Sequence, residues 1–398
     1  ASDWSSDVCS SDLYSNRGNI LRSLGRNAEA LTSHDRAIAL KPNLALSHLG
    51  RALALLGEGR VTQARSSAET AFRLDPASPE IVVGLAHFQL LDGDWQEGWK
   101  NYEYRAQTRT PAYHPLPYPR WHGESLSNGR LLVFAEQAMG DAIQFCRFAQ
   151  AIAQQGNDVT ILTSAPLARL FNTLQGVRIV TSTKAAEQSG QPIHWVPMMS
   201  LPGILGHSPD TIPKQIPYLS AEPDRVALWG DWLGTNGFRI GINWNSGQPM
   251  DGASAGSDIS LHEFSSLAAI PGVRLISLQG GAGSGQVAQV PFSARIEQPT
   301  QGFNAGSDAF IDTAAMMMSL DLIVTCDTSI AHLAGALGRT VFTALPHVAD
   351  WRWLRDSDDT PWYPTMRLFR QTKPGDWSDV FRSEEHTSEL QSLAYLVC

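Results

Sequence analysis

Three segments of the chain carry side chains whose types and spacing permit chemistry. In Glu136-Gln-Ala-Met-Gly-Asp141, Gly140 allows a tight turn and Asp141 offers a carboxylate that could take a proton from a nucleophilic hydroxyl. The same Asp could simply cap a helix beginning at 142, and the residue types leave both readings open. In Cys326-Asp-Thr-Ser329, a strand end runs into a helix start. Free N–H groups and the positive dipole end there suit a phosphate, and Asp327 could hold sugar hydroxyls. Asp327 or Thr328 as a plain helix cap is the competing reading. His332, inside that helix, reads more as a packing residue than as a base. Trp351, Trp353, Trp362 and Tyr363 read either as a stacking platform or, with more weight, as aromatics sealing a domain.

Strand–helix alternation must position these segments. RLLVFAEQ (130–137), DVTILTS (158–164) and VRIVTS (177–182) read as strands, with helices at 142–156 and from 165. After a helix-like 227–234, a second series follows: strands at 239–244, 273–279, 321–326 and a final one at 340–345, helices at 260–270, 308–320 and 327–338. Ser260 suits an N-cap. Alternation of this kind implies βαβ units and parallel sheets. Two such halves leave a ligand cleft at the carboxyl ends of their strands. Residues 106–129, rich in Pro, Gly and aromatics, read as a linker packed on a surface.

The first quarter is repetitive. Gly25, Gly59 and Gly93 are 34 residues apart, as are Ala30, Ala64 and Gly98, and Pro42 and Pro76 keep the same step. Each unit reads as helix, Gly turn, helix, Pro, since proline ends the second helix. This pattern resembles the tetratricopeptide repeat, in three units at 14–47, 48–81 and 82–105. Stacked units form a solenoid whose concave face usually holds a peptide or a protein partner.

The 398 residues carry a formal charge of −9, which argues against nucleic acid as the main partner. No apolar run is long enough for a membrane helix. Cys9, Cys146, Cys326 and Cys398 do not make a disulfide framework, so a reduced, cytoplasmic setting is expected. No P-loop and no G-x-S-x-G elbow occurs. None of the His residues has metal-ligand spacing, and no metal is expected. Gly280–Gly285 reads as a flexible loop. Segments 1–13 and 382–398 are expected to be foreign: DWSSDVCSSDL (3–13) and RSEEHTSELQS (382–392) back-translate into opposite strands of one common sequencing adapter. The native stretch is then about 14–381, cut at both ends.

AEQAMGDAIQFCRFA, GINWNSGQP, SLQ, LDLIVTCDTSIAHLAGALGRTV and DWRWL occur in this order. Together they resemble bacterial tetratricopeptide-repeat proteins with a heptosyltransferase-like glycosyltransferase domain. More distantly they are similar to the O-linked N-acetylglucosamine transferases. The resemblance implies a GT-B fold, two facing Rossmann-like domains behind an all-α solenoid: an acceptor domain at 106–235 and a donor domain at 236–381. It implies a nucleotide-diphosphate-sugar as donor substrate, no cofactor, and a metal-independent inverting transfer to a protein or glycan acceptor held by the repeats at 14–105. Asp141 takes the place of the catalytic base. Asp327, Thr328, Ser329, Asn245, Gln279 and His332 take donor-binding places. Two departures stand against this. Gly280 replaces a common basic residue, and no Lys or Arg lies between Arg239 and Arg274. Arg352 or Arg147 is the candidate substitute. A non-catalytic repeat scaffold with a degenerate donor site therefore stays open as the alternative.

Overall fold

A computed structural model describes residues 4–126, 129–187, 193–246, 258–299, 302–304 and 310–382. Three helix pairs open the chain: α1 (Trp4–Ser23) with α2 (Asn27–Leu40), α3 (Ala45–Gly57) with α4 (Val61–Leu74), and α5 (Pro79–Leu91) with α6 (Trp95–Tyr102). The periodic glycines turn each pair: Gly25, Gly59 and Gly93 share left-handed φ angles of 73°, 74° and 80°, which a side chain would strain. Ala30, Ala64 and Ala71 are fully buried, so small residues let the paired helices close. The second-helix stops fall just before Pro42 and Pro76, as expected. Helix α1 starts inside the segment expected to be foreign, and residues 383–398 lie outside the described residues. Among the described residues no helix is long and apolar enough to cross a membrane.

The first α/β half contains β1 (Arg130–Phe134), α7 (Met139–Gln154), β2 (Asp158–Leu162), α8 (Ala165–Phe171), β3 (Val177–Val180), α9 (Thr183–Glu187), β4 (Ile193–Pro197), α10 (Leu201–Ile204) and α11 (Pro223–Leu233). The second contains β5 (Phe238–Asn243), α12 (Ser265–Ala268), β6 (Val273–Ser277), β7 (Ile296–Glu297), α13 (Ile311–Met317), β8 (Leu322–Cys326), α14 (Ser329–Ala336), β9 (Val341–Leu345), β10 (Met366–Arg370) and α15 (Ser378–Arg382). Both sheets are parallel, in orders β3-β2-β1-β4 and β10-β9-β8-β5-β6-β7. The architecture is an α/β pair of Rossmann-like domains preceded by a helical repeat array, as the sequence led us to expect.

Several details differ from that expectation. The strand at 340–345 is not the last, because β10 follows it. Met366-Arg-Leu-Phe-Arg370 alternates, with Met366 and Leu368 buried, a signal hidden among the aromatics before it. Strand β4, next to residues 188–192, was not anticipated. The Gly280–Gly285 stretch is not a free loop: residues Gly281–Gln289 form a 3₁₀ helix, held where the indole of Trp244 donates to the Gly283 carbonyl at 3.2 Å. Ser260 does cap its helix, accepting from the His262 amide. Within the described part of the segment expected to be a linker, Tyr113 and Trp121 are buried.

One core joins all three parts. It runs from Trp95, Trp99 and Tyr102 through Phe145 and Phe148 of α7 to Met316, Leu333, Trp351 and Trp362. Burial of this much aromatic surface contributes several kcal/mol and opposes rigid-body separation. The four loop aromatics are therefore a seal, at a three-way junction rather than within one domain. Trp362 stacks on Trp95 at 5.3 Å, and Trp353 stacks on His332 at 5.3 Å.

Candidate active site

In an open parallel sheet, ligands bind where the strand order reverses direction, beyond the carboxyl ends of the strands. The second sheet reverses between β5 and β8. There the Thr328 hydroxyl donates to Asn243 Oδ1 at 2.8 Å and accepts from the Ile330 amide at 3.3 Å, capping α14. So Thr328 is a cap. From β8 outward, the carboxyl edge carries Asp327, Asn245 after β5, Gln279 after β6, and Gln298 after β7. Three inter-strand steps make a row about 14 Å long. Its outer end is a cavity of about 480 Å³ lined by Ser277, Gln279, Gly280, Ser284, Gln298 and Asn304.

Asn245 and Gln279 meet, but as a brace. Gln279 Oε1 accepts from the Asn243 side chain and from the Trp244 and Asn245 amides at 2.8–3.1 Å, while its Nε2 donates to the Asn245 and Gly280 carbonyls. The Asn245 amide group donates to Asp258 at 2.8 Å. These residues fix the edge of the cleft.

The first sheet reverses between β1 and β4, and there the crevice is filled. Glu136, beyond β1, accepts from the Met198 and Met199 amides at 2.7 and 3.1 Å and from Arg105 at 2.8 Å. Arg105 comes from the last repeat and is 3% exposed. This buried pair costs desolvation, but breaking it would strand a charge.

Asp141 sits in the first turn of α7, facing the second half. Its carboxylate accepts from the Ala138 amide at 3.1 Å and from the Arg352 guanidinium. The helix starts at Met139 rather than at 142, so Asp141 lies within its first turn and holds the N-cap residue's amide from there. Arg352 also donates to Gln144 at 3.0 Å and Asp350 at 2.7 Å, and lies 4.4 Å over the Trp351 ring. Burial raises the Asp141 pKa, against the pull of Arg352. Asp327 is raised further, to about 7, first by burial and then by Asp350, while the Trp353 indole and Arg352 oppose the rise. Three carboxylates, Asp141, Asp327 and Asp350, thus share the field of one arginine.

Gly140 lets the two helix starts approach. A Cβ there would stand 3.2 Å from the His332 ring and 3.4 Å from Ser329 Cα. His332 bonds the Tyr363 hydroxyl at 3.0 Å and is stacked on Trp353. Burial, then Arg352 and Arg147, hold it far below the usual histidine pKa, so it is a neutral packing group. Arg147 is spent on the Trp362 carbonyl and the Tyr218 hydroxyl, at 2.7 and 2.8 Å. Of the two candidate substitute cations, Arg352 is the one that stands beside Asp141. Sequence reasoning missed Asp350, Gln144 and Tyr102, which reach the site by contacts that no spacing encodes.

The tetratricopeptide repeat family matches residues 18–59. The chain is 27% identical over 393 residues to Protein FlbA of Caulobacter vibrioides, an alignment covering 92% of this chain and 65% of that protein. It is 39% identical over 77 residues to Protein STIP1 homolog of Dictyostelium discoideum, 19% of this chain and 14% of that one. The chain thus spans less than two thirds of the length of these curated relatives. Among solved structures it is similar to E. coli ADP-heptose lipopolysaccharide heptosyltransferase II, with TM-score 0.46, 13% identity, 67% of this chain and 99% of that one. It is similar to a family 9 glycosyl transferase from Veillonella parvula, with TM-score 0.49, 10% identity, 69% and 100%. It is also similar to the Thermobaculum terrenum O-GlcNAc transferase, with TM-score 0.30, 13% identity, 97% and 86%. The repeats are shown by the family match, and the two-domain α/β organisation by the two sheets themselves.

Proposed function

We propose that the chain is a glycosyltransferase that moves a sugar from a nucleotide-diphosphate-sugar to a protein or glycan acceptor. The observation that carries this reading is the row at the carboxyl edge of the second sheet. It starts at the α14 N-terminus, ends in a cavity, and faces a carboxylate–arginine pair across the cleft. A nucleoside fits the cavity near Gln279, and a diphosphate reaches the Thr328 and Ser329 amides. Arg352 supplies the positive charge that a leaving diphosphate needs. Asp141 takes the proton from the acceptor hydroxyl. The hydroxyl oxygen attacks the anomeric carbon, the bond to the diphosphate breaks, and the configuration inverts. Asp327 holds sugar hydroxyls. The chain's own charges carry each of these steps, and no metal or cofactor enters the scheme. Repeats at 14–105 recruit the acceptor, in a cytoplasmic setting.

The rival reading, a repeat scaffold with a degenerate donor site, is favoured by the absence of Lys and Arg from 240–273. Release of nucleoside diphosphate from a panel of nucleotide-sugars separates the two. The transferase reading expects turnover, reduced at least about 100-fold in Asp141→Asn. Undiminished turnover in that variant removes Asp141 from the base role. Binding without any turnover supports the scaffold.

A further inference from the structure

The last repeat helix presents one continuous face to both halves of the site. Trp95, Trp99 and Tyr102 lie at i, i+4 and i+7 on α6, hence on one stripe, and Arg105 continues it. Each residue touches a segment that bears a site charge. Trp95 stacks on Trp362, whose indole donates to the Arg352 carbonyl at 2.8 Å. Trp99 meets Trp351 edge-on at 5.2 Å, and Trp351 carries the Arg352 guanidinium on its face. The Tyr102 hydroxyl exchanges hydrogen bonds with the Gln137 amide group, at 3.0 and 3.4 Å. Gln137 holds a left-handed φ of 67°, strained for a side-chain-bearing residue. The next residue, Ala138, donates its amide to Asp141. Arg105 closes the row on Glu136, at the base of the same loop.

Asp141 and Arg352 belong to different α/β halves. Their pairing therefore depends on the register between the two halves, and α6 grips both partners' supports. A strained turn persists only where its surroundings over-determine it, and here a residue of the repeat array does so.

We propose that α6 is a positioning element of the active site: Tyr102, through Gln137, sets the loop that presents Asp141, and Trp99, through Trp351, sets Arg352. The repeat array is then part of the catalytic frame as well as a recruiting arm. The inference rests on the transferase reading for its consequence in turnover, but its geometry is testable without it.

The test uses the full chain labelled with carboxyl-¹³C aspartate, with Asp141 assigned as the resonance lost in Asp141→Asn. Tyr102→Phe removes only the hydroxyl. Gln137→Gly removes the partner amide at a φ that glycine accepts, so it covers the case in which the Tyr102 variant fails to fold. Both are expected to move the Asp141 titration midpoint by about half a pH unit or more. Arg26→Ala, in an exposed pair on the first repeat, is expected to leave it in place. Where the wild-type chain turns over donor, Tyr102→Phe lowers kcat about tenfold or more with the donor KM within about twofold. An Asp141 titration unchanged in both variants overturns the inference. A shifted titration in a chain that binds no nucleoside diphosphate leaves the positioning role intact and removes the transferase reading.

Discussion

Arg352→Gln perturbs the site most informatively. The guanidinium serves Asp141, Asp350 and Gln144 at once, and its side chain is 11% exposed. Glutamine keeps some of the volume and removes the charge. Two carboxylates then lose their cation, and Asp327 loses an opposing charge to its own raised pKa. Removing one partner of a buried pair costs about 3–5 kcal/mol. Residual solvent access sets the expectation at the lower end, about 3 kcal/mol at pH 8. The pH dependence has a definite sign. Without Arg352 the folded-state pKa of Asp141, already raised by burial, loses its main opposing pull and rises further above its unfolded value. The penalty is therefore present at alkaline pH and is relieved as pH falls and the carboxyl protonates. Urea denaturation at pH 8 and pH 5 reads this directly: the loss at pH 5 should be smaller by about 1–2 kcal/mol. Adding Asp141→Asn should recover part of it, since the two residues are coupled. Equal losses at both pH values, with strict additivity in the double variant, would refute the shared-charge reasoning.

Other outcomes follow from the same electrostatics and packing. Asp327→Asn should stabilise the chain by up to about 4 kcal/mol at pH 8 and change little at pH 4, because a carboxyl raised to about 7 penalises folding once it must ionise; thermal unfolding across that range checks it. His34 is fully buried between Gly18 and Gly50, with neither ring nitrogen bonded, and its pKa falls to about 4. Stability should thus drop by about 3 kcal/mol as pH falls from 7 to 4, and His34→Phe should remove most of that slope in acid melts. Arg105→Ala strands Glu136 and should cost about 3–5 kcal/mol, whereas Arg105→Met with Glu136→Leu should cost far less; denaturant midpoints distinguish the two.

Much of this architecture was legible in the residues because its signals are local. The glycine step of 34 residues recurs as one left-handed turn, and apolar runs such as Leu322–Cys326 become buried central strands. Asp327 follows the end of β8 and Asp141 falls in the first turn of α7, because strand–helix alternation puts them there. What stayed hidden was set by distant packing. Nothing near Tyr102 says that it meets Gln137, and nothing in Asp-Trp-Arg-Trp-Leu says that Arg352 crosses to Asp141. Nothing near Gln279 says that its amide oxygen braces Asn243, Trp244 and Asn245. Strand β10 escaped notice because its short alternation follows an aromatic-rich stretch.

The central claim, a nucleotide-diphosphate site between α14 and Arg352, is tested most directly by calorimetric titration of the full chain with nucleoside diphosphates. The account predicts saturable one-to-one binding of at least one of them, weakened about tenfold or more in Arg352→Gln. Absence of saturable binding to the wild-type chain across adenosine, guanosine, uridine, cytidine and thymidine diphosphates would contradict it.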